Sequence, residues 1–250
     1  YVEPGKIAGA LTLVFRRGEL AWCSPIGLAD RESGAPMRED TIFRIYSMTK
    51  PVTSVALMTL FEEGHFQLDD PVERWIPEWK GREVYVAGNH PTFLTRPAET
   101  RMTVRHLLTH TSGLTYGFME RTNVDRAYRK LGIGTFGKGP TGDLHEMIEL
   151  LAELPLEFSP GTAWNYSVAT DVCGYLVERI SGDRFDQFLR ERVFAPLGME
   201  DTGFFVPEEK APRLAASYTR GAGQELARID HPRTSAYLRG RRVLGCGGGR

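Results

Sequence analysis

A serine followed three residues later by a lysine, at the beginning of a helical pattern, is the feature that most limits how this chain can fold. The sequence FRIYSMTKP over residues 43–51 places Ser47 and Lys50 just after a short apolar strand end. Apolar residues then recur at three- and four-residue steps, so a helix is predicted from Ser47 to Glu63. Gly64 is predicted to end it, because glycine adopts the left-handed C′ conformation without steric cost. The spacing therefore predicts Ser47 at a helix N-terminus, with Lys50 one turn along on the same face.

The Ser47–Lys50 spacing has a chemical use. A serine hydroxyl is a poor nucleophile unless a neighbouring base takes its proton, and Lys50 can do so only in its uncharged form. The N–H groups and the positive dipole end of the helix can stabilise an oxyanion that forms beside Ser47. The pattern alone is weak evidence, because a chain of this size contains roughly one Ser-x-x-Lys by chance. A helix N-cap at Ser47 and a solvated Lys50 would explain the same residues.

A second candidate motif is the sequence WNYSV over residues 164–168, which follows a turn containing Pro160-Gly161. The spacing of the apolar residues predicts a helix from Tyr166 to Ile180. A tyrosine at a helix start, after a polar turn, can point its hydroxyl into a cleft. A lysine and a tyrosine that share hydrogen bonds with a serine can pass its proton to a leaving group. Packing of Tyr166 on the core, with its hydroxyl satisfied there, is the alternative.

These motifs, in their order and spacing, resemble the serine β-lactamase-like superfamily. The resemblance rests on Ser47 with Lys50, on the sequence LLTHTSGL over residues 107–114, and on Tyr166 with the residues after it. It is closest to class C-like members and, among them, to the family VIII carboxylesterases, whose tyrosine motif is similar to Tyr-Ser-x here. The resemblance implies that Ser47 is the acylated nucleophile, that Lys50 is the base or proton relay, and that Tyr166 is the second acid/base group. It also implies that the backbone N–H of Ser47 supplies half of an oxyanion hole.

The resemblance implies an α/β (α+β) fold, in which an antiparallel sheet flanked by helices carries an inserted, mostly helical domain. A hairpin of strands over residues 7–15 and 19–26 agrees with such a sheet. We expect residues 1–66 and 235–250 to belong to the sheet-containing domain and residues 67–234 to the helical one. We expect the active site in the groove between them.

One departure from the family pattern bears on the substrate. The family has a third motif on a late strand, Lys-Thr-Gly in β-lactamases and often Trp-Gly-Gly in the esterases, and residues 1–250 contain neither. We therefore expect the C-terminal strands of the fold to lie outside these residues, and we expect residues 1–250 to be inactive by themselves. Hydrolysis of short-chain carboxylic esters is the predicted function. Hydrolysis of β-lactams or D-amino-acid peptides, and a catalytically inactive binding or sensor domain, stay open as alternatives.

Four further side chains are candidates for binding roles. Tyr116 and Phe118 follow the Ser-Gly-Leu turn and are predicted to line the substrate cleft, although ordinary packing explains them equally well. His106 and His110 lie four residues apart, a spacing that occurs in metal pairs on helices. The sequence offers no third ligand for them, which argues against a metal site. We expect neither a metal nor an organic cofactor.

Composition excludes several classes of partner. Lys and Arg total 31 against 32 for Asp and Glu, so the net charge of −1 argues against nucleic acid or a polybasic membrane contact. No apolar run approaches the roughly 20 residues of a membrane span. The three cysteines, Cys23, Cys173 and Cys246, are far apart, which argues against a disulfide framework. We expect a cytoplasmic protein that binds a small-molecule ester; the oligomeric state is left open.

The other segments are predicted as helices separated by loops. Helices are predicted from Thr103 through Leu108, from Asn123 to Leu131, from Asp143 through Leu154, and from a cap at Asp183 through Phe194. Loops or connections are predicted over residues 81–100, 132–142, 196–203 and 207–220, and the glycine cluster at 245–250 is predicted as a turn.

Overall fold

The computed structural model describes residues 1–135 and 143–238. The chain divides into two compact units, one formed by residues 1–44 and 203–238 and the other by residues 45–202. Their boundaries follow Arg44 and Thr202. The division into a sheet-containing and a helical domain that we expected from the sequence stays a prediction.

The first unit contains the N-terminal hairpin, which confirms the two strands predicted there. Strand β1 (Gly9–Arg16) pairs antiparallel with β2 (Glu19–Asp30), and the short β3 (Ala35–Pro36) pairs with the end of β2. Arg17 and Gly18 connect β1 to β2 and have φ of 53° and 80°. Two positive φ values define the turn whose twist matches the right-handed twist of the strands. The turn therefore fixes the register of the hairpin.

The prediction of a plain connection over residues 207–220 is wrong. Strand β6 (Ser217–Arg220) pairs there with β7 (Leu226–Asp230), after a 3-10 helix over Glu208–Arg213. Strand β6 is only four residues long, and its register with β7 shifts between Ser217 and Tyr218. So short and irregular a strand leaves no alternating pattern in the sequence.

The second unit begins with the helix that follows Ser47. A 3-10 turn (Tyr46–Met48) leads into helix α1 (Thr49–Glu62), and Gly64 follows with φ of 80°. The predicted helix is confirmed, although its first residues take the tighter 3-10 form. Helix α1 packs against a later helix, α5 (Ala169–Ser181). Its buried residues are Thr53, Ala56, Leu57 and Leu60.

A second hairpin replaces the loop that we predicted over residues 81–100, and that prediction is wrong. Strands β4 (Glu83–Asn89) and β5 (Thr92–Pro97) pair antiparallel, with a register shift between Tyr85 and Ala87. The shift interrupts the two-residue alternation by which a strand is recognised. The backbone of Tyr85 donates a hydrogen bond to the carbonyl of Leu156 at 2.8 Å, so contacts distant in sequence also support this hairpin.

Three predicted helices are confirmed with small changes at their ends. They are α2 (Val104–Leu108), capped by Thr103; α3 (Asn123–Lys130); and α4 (Leu144–Ala152), capped by Asp143. The caps form because the Thr103 and Asp143 side chains accept hydrogen bonds from backbone N–H groups in the first turn. The predicted loop over 132–142 lies partly outside the described residues, and the predicted turn at 245–250 lies wholly outside them.

The two helices of the later chain begin further along than predicted. Helix α5 (Ala169–Ser181) begins three residues after Tyr166, so the prediction of Tyr166 within the helix is wrong. Helix α6 (Phe185–Leu189) has Arg184 at its N-cap, without a side-chain cap, and continues as a π-helical turn (Arg190–Phe194). The cap that we predicted at Asp183 is therefore wrong too.

The turn over residues 110–114 depends on a glycine. Gly113 has φ of 85°, and a Cβ atom there would lie 2.3 Å from the carbonyl oxygen of Phe158. We expect Gly113→Ala to lower the free energy of unfolding by about 3 kcal/mol or more, through backbone strain and overlap together. Thermal unfolding followed by circular dichroism measures this, at about 2 to 4 °C per kcal/mol.

Gly64 supplies the matched control for that measurement. It has φ of 80°, but a Cβ atom there would meet nothing within 4 Å. We expect Gly64→Ala to cost only the backbone strain, about 1 kcal/mol. Equal losses of stability in the two variants would contradict the role of the Phe158 carbonyl.

None of the helices that the structure describes is both long enough and apolar enough to cross a membrane.

Candidate active site

The structure brings together the three side chains that the sequence singled out, and all three belong to the unit of residues 45–202. The phenol of Tyr166 donates a hydrogen bond to the Ser47 Oγ at 2.9 Å. The amine of Lys50 reaches the same oxygen at 3.3 Å. The Ser47 hydroxyl therefore lies between two groups that can exchange protons with it. Their catalytic roles stay a prediction.

Local geometry presents Ser47 at the surface. Ser47 is exposed and lies in the 3-10 turn just before α1, where the helix dipole is positive. Tyr46, immediately before it, has φ of 42°, in the left-handed region that a bulky side chain rarely adopts. Such a conformation costs about 1 to 3 kcal/mol and persists only where the surrounding structure holds it. The turn that carries Ser47 is thus a strained one.

The segment over residues 110–115 holds Tyr166 in place. The backbone N–H of Asn165 donates to the carbonyl of His110 at 2.9 Å, and its side-chain amide donates to the carbonyl of Leu114 at 2.9 Å. The N–H of Val168 donates to the carbonyl of Thr115 at 3.2 Å. These bonds keep the backbone around Tyr166 out of helix α5, which explains why the helix begins later than predicted.

Aromatic rings surround the Lys50 amine. Its Nζ lies 4.8 Å from the ring centroid of Tyr166 and 5.3 Å from that of Tyr116. The two ring centroids are 5.1 Å apart. Contacts of a cation with aromatic faces are attractive and directional. The rings therefore fix the direction in which Lys50 reaches Ser47.

The two predicted cleft residues occupy different places. Tyr116 is only 3% exposed, and its hydroxyl donates to the Asp171 carboxylate at 3.4 Å. Phe118 stacks on the Tyr116 ring, with centroids 4.8 Å apart and planes at 23°. Tyr116 thus contacts the Lys50–Tyr166 pair directly, and Phe118 packs against Tyr116. A substrate-binding role for either residue stays a prediction.

His110 also belongs to this site, although its spacing from His106 indicates only a possible metal ligand. Its ring centroid lies 5.0 Å from that of Tyr166, and its Nδ1 lies 3.2 Å from the Oγ of Ser167. Burial, and secondly the positive charge of Lys50, hold the pKa of His110 below its usual value. Its φ of 57° turns the chain at the first residue of the segment that binds Asn165. In the sequence, the feature that links His110 to the active site is its position within the LLTHTSGL motif.

The histidine pair does not form a shared metal site. His106 accepts a hydrogen bond at Nδ1 from the backbone of Thr103 at 3.2 Å, whereas His110 bonds to Ser167. Over residues 1–135 and 143–238, no group of three or more His, Cys, Asp or Glu side chains is arranged to hold a metal ion.

A serine, a lysine and a tyrosine that converge at the start of a helix, in a fold of helices and antiparallel strands, define a protein of the serine β-lactamase-like class. The chain belongs to the Beta-lactamase family, whose sequence model matches residues 1–250. This confirms the resemblance and the β-lactamase-like α/β fold predicted from the motifs.

Individual relatives agree with this assignment. Esterase EstB of Burkholderia gladioli is 41% identical over 216 residues, which are 86% of this chain and 51% of EstB. Protein Rv1367c of Mycobacterium tuberculosis (strain ATCC 25618 / H37Rv) is 43% identical over 216 residues, again 86% of this chain and 52% of the relative. The chain therefore spans about half the length of these curated relatives.

A solved structure shows the same fold. EstCE1, described as a hydrolase with promiscuous acyltransferase activity, superposes with a TM-score of 0.82 at 29% identity. The match covers 99% of this chain and 65% of EstCE1.

Proposed function

We propose that the protein containing this chain is a carboxylesterase that works through a covalent acyl-enzyme on Ser47. The observation that carries the proposal is the pair of hydrogen bonds to the Ser47 hydroxyl, from Tyr166 at 2.9 Å and from Lys50 at 3.3 Å. The family membership and the esterase name of EstB support it. The chemistry needs no metal and no organic cofactor.

The proposed reaction has two balanced steps. Ser47 Oγ attacks the ester carbonyl carbon, and its proton passes through Lys50 and Tyr166 to the leaving alcohol as the C–O bond of the ester breaks. Water then attacks the acyl-enzyme carbonyl. The same two groups take a proton from that water and return one to Ser47, which releases the carboxylic acid.

We propose a short-chain carboxylic ester as the substrate, and the exposed apolar side chains around Ser47 support an uncharged acyl group. The neighbours of Ser47 in its turn, Tyr46 and Met48, are exposed, and Met48 is 69% exposed. Trp164, which packs edge-on against His110, is 65% exposed. Apolar side chains that line a site favour apolar ligand groups.

We place the protein in a reducing compartment, the cytoplasm, a proposal that the free thiols of Cys23 and Cys173 support.

Hydrolysis of β-lactams is the nearest alternative, because the matched family is named Beta-lactamase, and hydrolysis of D-amino-acid peptides stays open beside it. Transfer of the acyl group to an alcohol is another outcome, since EstCE1 carries that activity in its description. A binding or sensor domain without catalysis is the alternative outside the enzymes. Rates on p-nitrophenyl butyrate and nitrocefin, with and without an added alcohol, separate the three catalytic outcomes.

Formation of a covalent adduct tests the proposal directly. We expect the complete natural protein, treated with diethyl p-nitrophenyl phosphate, to gain one diethylphosphoryl group. Intact-mass measurement followed by peptide mapping should place it on Ser47. The Ser47→Ala variant provides the control and should stay unmodified. An unmodified wild-type protein would favour the binding domain.

A further inference from the structure

His110 contacts Tyr166 and both of its neighbours in the chain. Its ring lies against Tyr166 at 5.0 Å, its carbonyl accepts the N–H of Asn165, and its Nδ1 bonds to Ser167. Ser167 directly follows Tyr166 in the chain and is fully buried. His110 therefore contacts three consecutive residues, of which the middle one is Tyr166.

The hydrogen bonds of Ser167 fix the tautomer of the imidazole. The Ser167 Oγ already accepts a hydrogen bond from the backbone N–H of Ala169 at 3.3 Å. Its buried hydroxyl proton needs an acceptor, and among the described residues that acceptor is the Nδ1 of His110. The proton of the neutral ring then lies on Nε2. A second proton, on Nδ1, would reverse this hydrogen bond and leave the buried Ser167 hydroxyl proton without its acceptor.

We propose that His110 is a positioning residue which, as a neutral imidazole bonded to Ser167, holds the Tyr166 phenol against the Ser47 hydroxyl. The proposal rests on the esterase function proposed above and deepens it. His110 acts through Tyr166 and contacts no reacting atom.

Electrostatics around the ring favour its neutral form. Among the described residues, the titratable groups that face it are Lys50, from α1, and the phenol of Tyr166, from the segment before α5. The carboxylate of Asp171, near the Tyr116 ring, accepts a hydrogen bond from the Tyr116 hydroxyl. Burial and the Lys50 charge lower the pKa of His110 from about 6.5, so the neutral form persists below that pH. Protonation at still lower pH should release Tyr166.

Three variants of the complete natural protein test this proposal through the pH profile of kcat. His110→Asn keeps an acceptor near the position of Nδ1, tolerates the left-handed backbone and does not titrate. Ser167→Ala removes the hydroxyl that stabilises the neutral ring. The double variant combines both changes.

We expect the wild-type kcat to show an acid-side break below pH 6.5 that His110→Asn lacks, with kcat at neutral pH reduced about three- to tenfold. Ser167→Ala should move that break to higher pH in the wild-type background and have no effect on the profile of His110→Asn. KM for p-nitrophenyl butyrate should change less than about twofold in each case, because His110 contacts no substrate. Proton NMR of the His110 ring should titrate at the pH of the kinetic break.

The outcomes separate this proposal from the proposed function. If Ser47 forms a phosphoryl adduct but His110→Asn keeps the acid-side break, the role of His110 is refuted and the esterase stands. A merely structural role would lower thermal stability without moving the break. If Ser47 forms no adduct, both proposals fall.

Discussion

Replacing Ser47 with alanine is expected to abolish ester hydrolysis by the complete natural protein, with kcat lowered at least about 10⁴-fold. The Ser47 Oγ is the atom that both Tyr166 and Lys50 approach, at 2.9 and 3.3 Å. Removing it leaves the two proton-transfer groups without a nucleophile, so no acyl-enzyme can form. Hydrolysis of p-nitrophenyl butyrate, measured with burst kinetics in the wild type, provides the assay.

Ser54 provides the control for this change. It lies on the same helix, α1, seven residues after Ser47, and is half-buried, so Ser54→Ala makes the same chemical change without removing the Ser47 hydroxyl. We expect its kcat to stay within about twofold of wild type, because Ser47 and its two partners are left in place. Because Ser47 is exposed, Ser47→Ala should unfold at the wild-type temperature. Substantial turnover by Ser47→Ala would refute the acyl-enzyme mechanism.

Replacing Tyr166 with phenylalanine is expected to lower kcat by about 10² to 10⁴-fold, the range for loss of a positioned acid/base group. The variant keeps the aromatic ring, and with it the contacts to Lys50 and His110 at 4.8 and 5.0 Å. Only the hydroxyl that donates to Ser47 is lost. Since each factor of ten corresponds to about 1.4 kcal/mol, the hydroxyl would contribute about 3 to 5 kcal/mol to transition-state stabilisation. Pre-steady-state acylation rates measure the effect.

Tyr116→Phe is the control for Tyr166→Phe. Its ring also faces the Lys50 amine, at 5.3 Å, but its hydroxyl bonds to Asp171 rather than to Ser47. We expect Tyr116→Phe to lower kcat less than about tenfold, the value of an indirect effect. Equal losses in the two variants would show that Lys50 is oriented by both phenols and that Tyr166 has no separate role in proton transfer.

Residues close in sequence could be placed from the sequence, because short-range geometry is local. The three-residue step from Ser47 to Lys50 places both side chains on one face of the helix, and the glycine after α1 marks where the helix ends. Neither inference needs tertiary information. Tyr166 lies 119 residues from Ser47, and periodicity alone does not bring them together. The resemblance of the motifs predicted that Tyr166 and Ser47 meet, and the structure places the two side chains in contact.

The structural elements that the sequence did not predict also have physical causes. Strand β4 was hidden by its register shift, and β6 by its length of four residues. The positive φ of Tyr46 belongs to a bulky side chain that rarely takes it, and histidine, although enriched at positive φ, takes it too seldom to indicate a turn by itself. The contact of His110 with Ser167 then follows from those turns and could not be anticipated.

The two partners of Ser47 are anchored to different degrees. Lys50 lies one helical turn from Ser47 on continuous backbone, so small changes in packing leave the distance between the two side chains unchanged. Tyr166 depends on the backbone bonds that tie residues 165–168 to residues 110–115. Natural variation around the site is therefore free to alter many positions, but it must conserve this backbone pairing, on which the position of the Tyr166 hydroxyl depends.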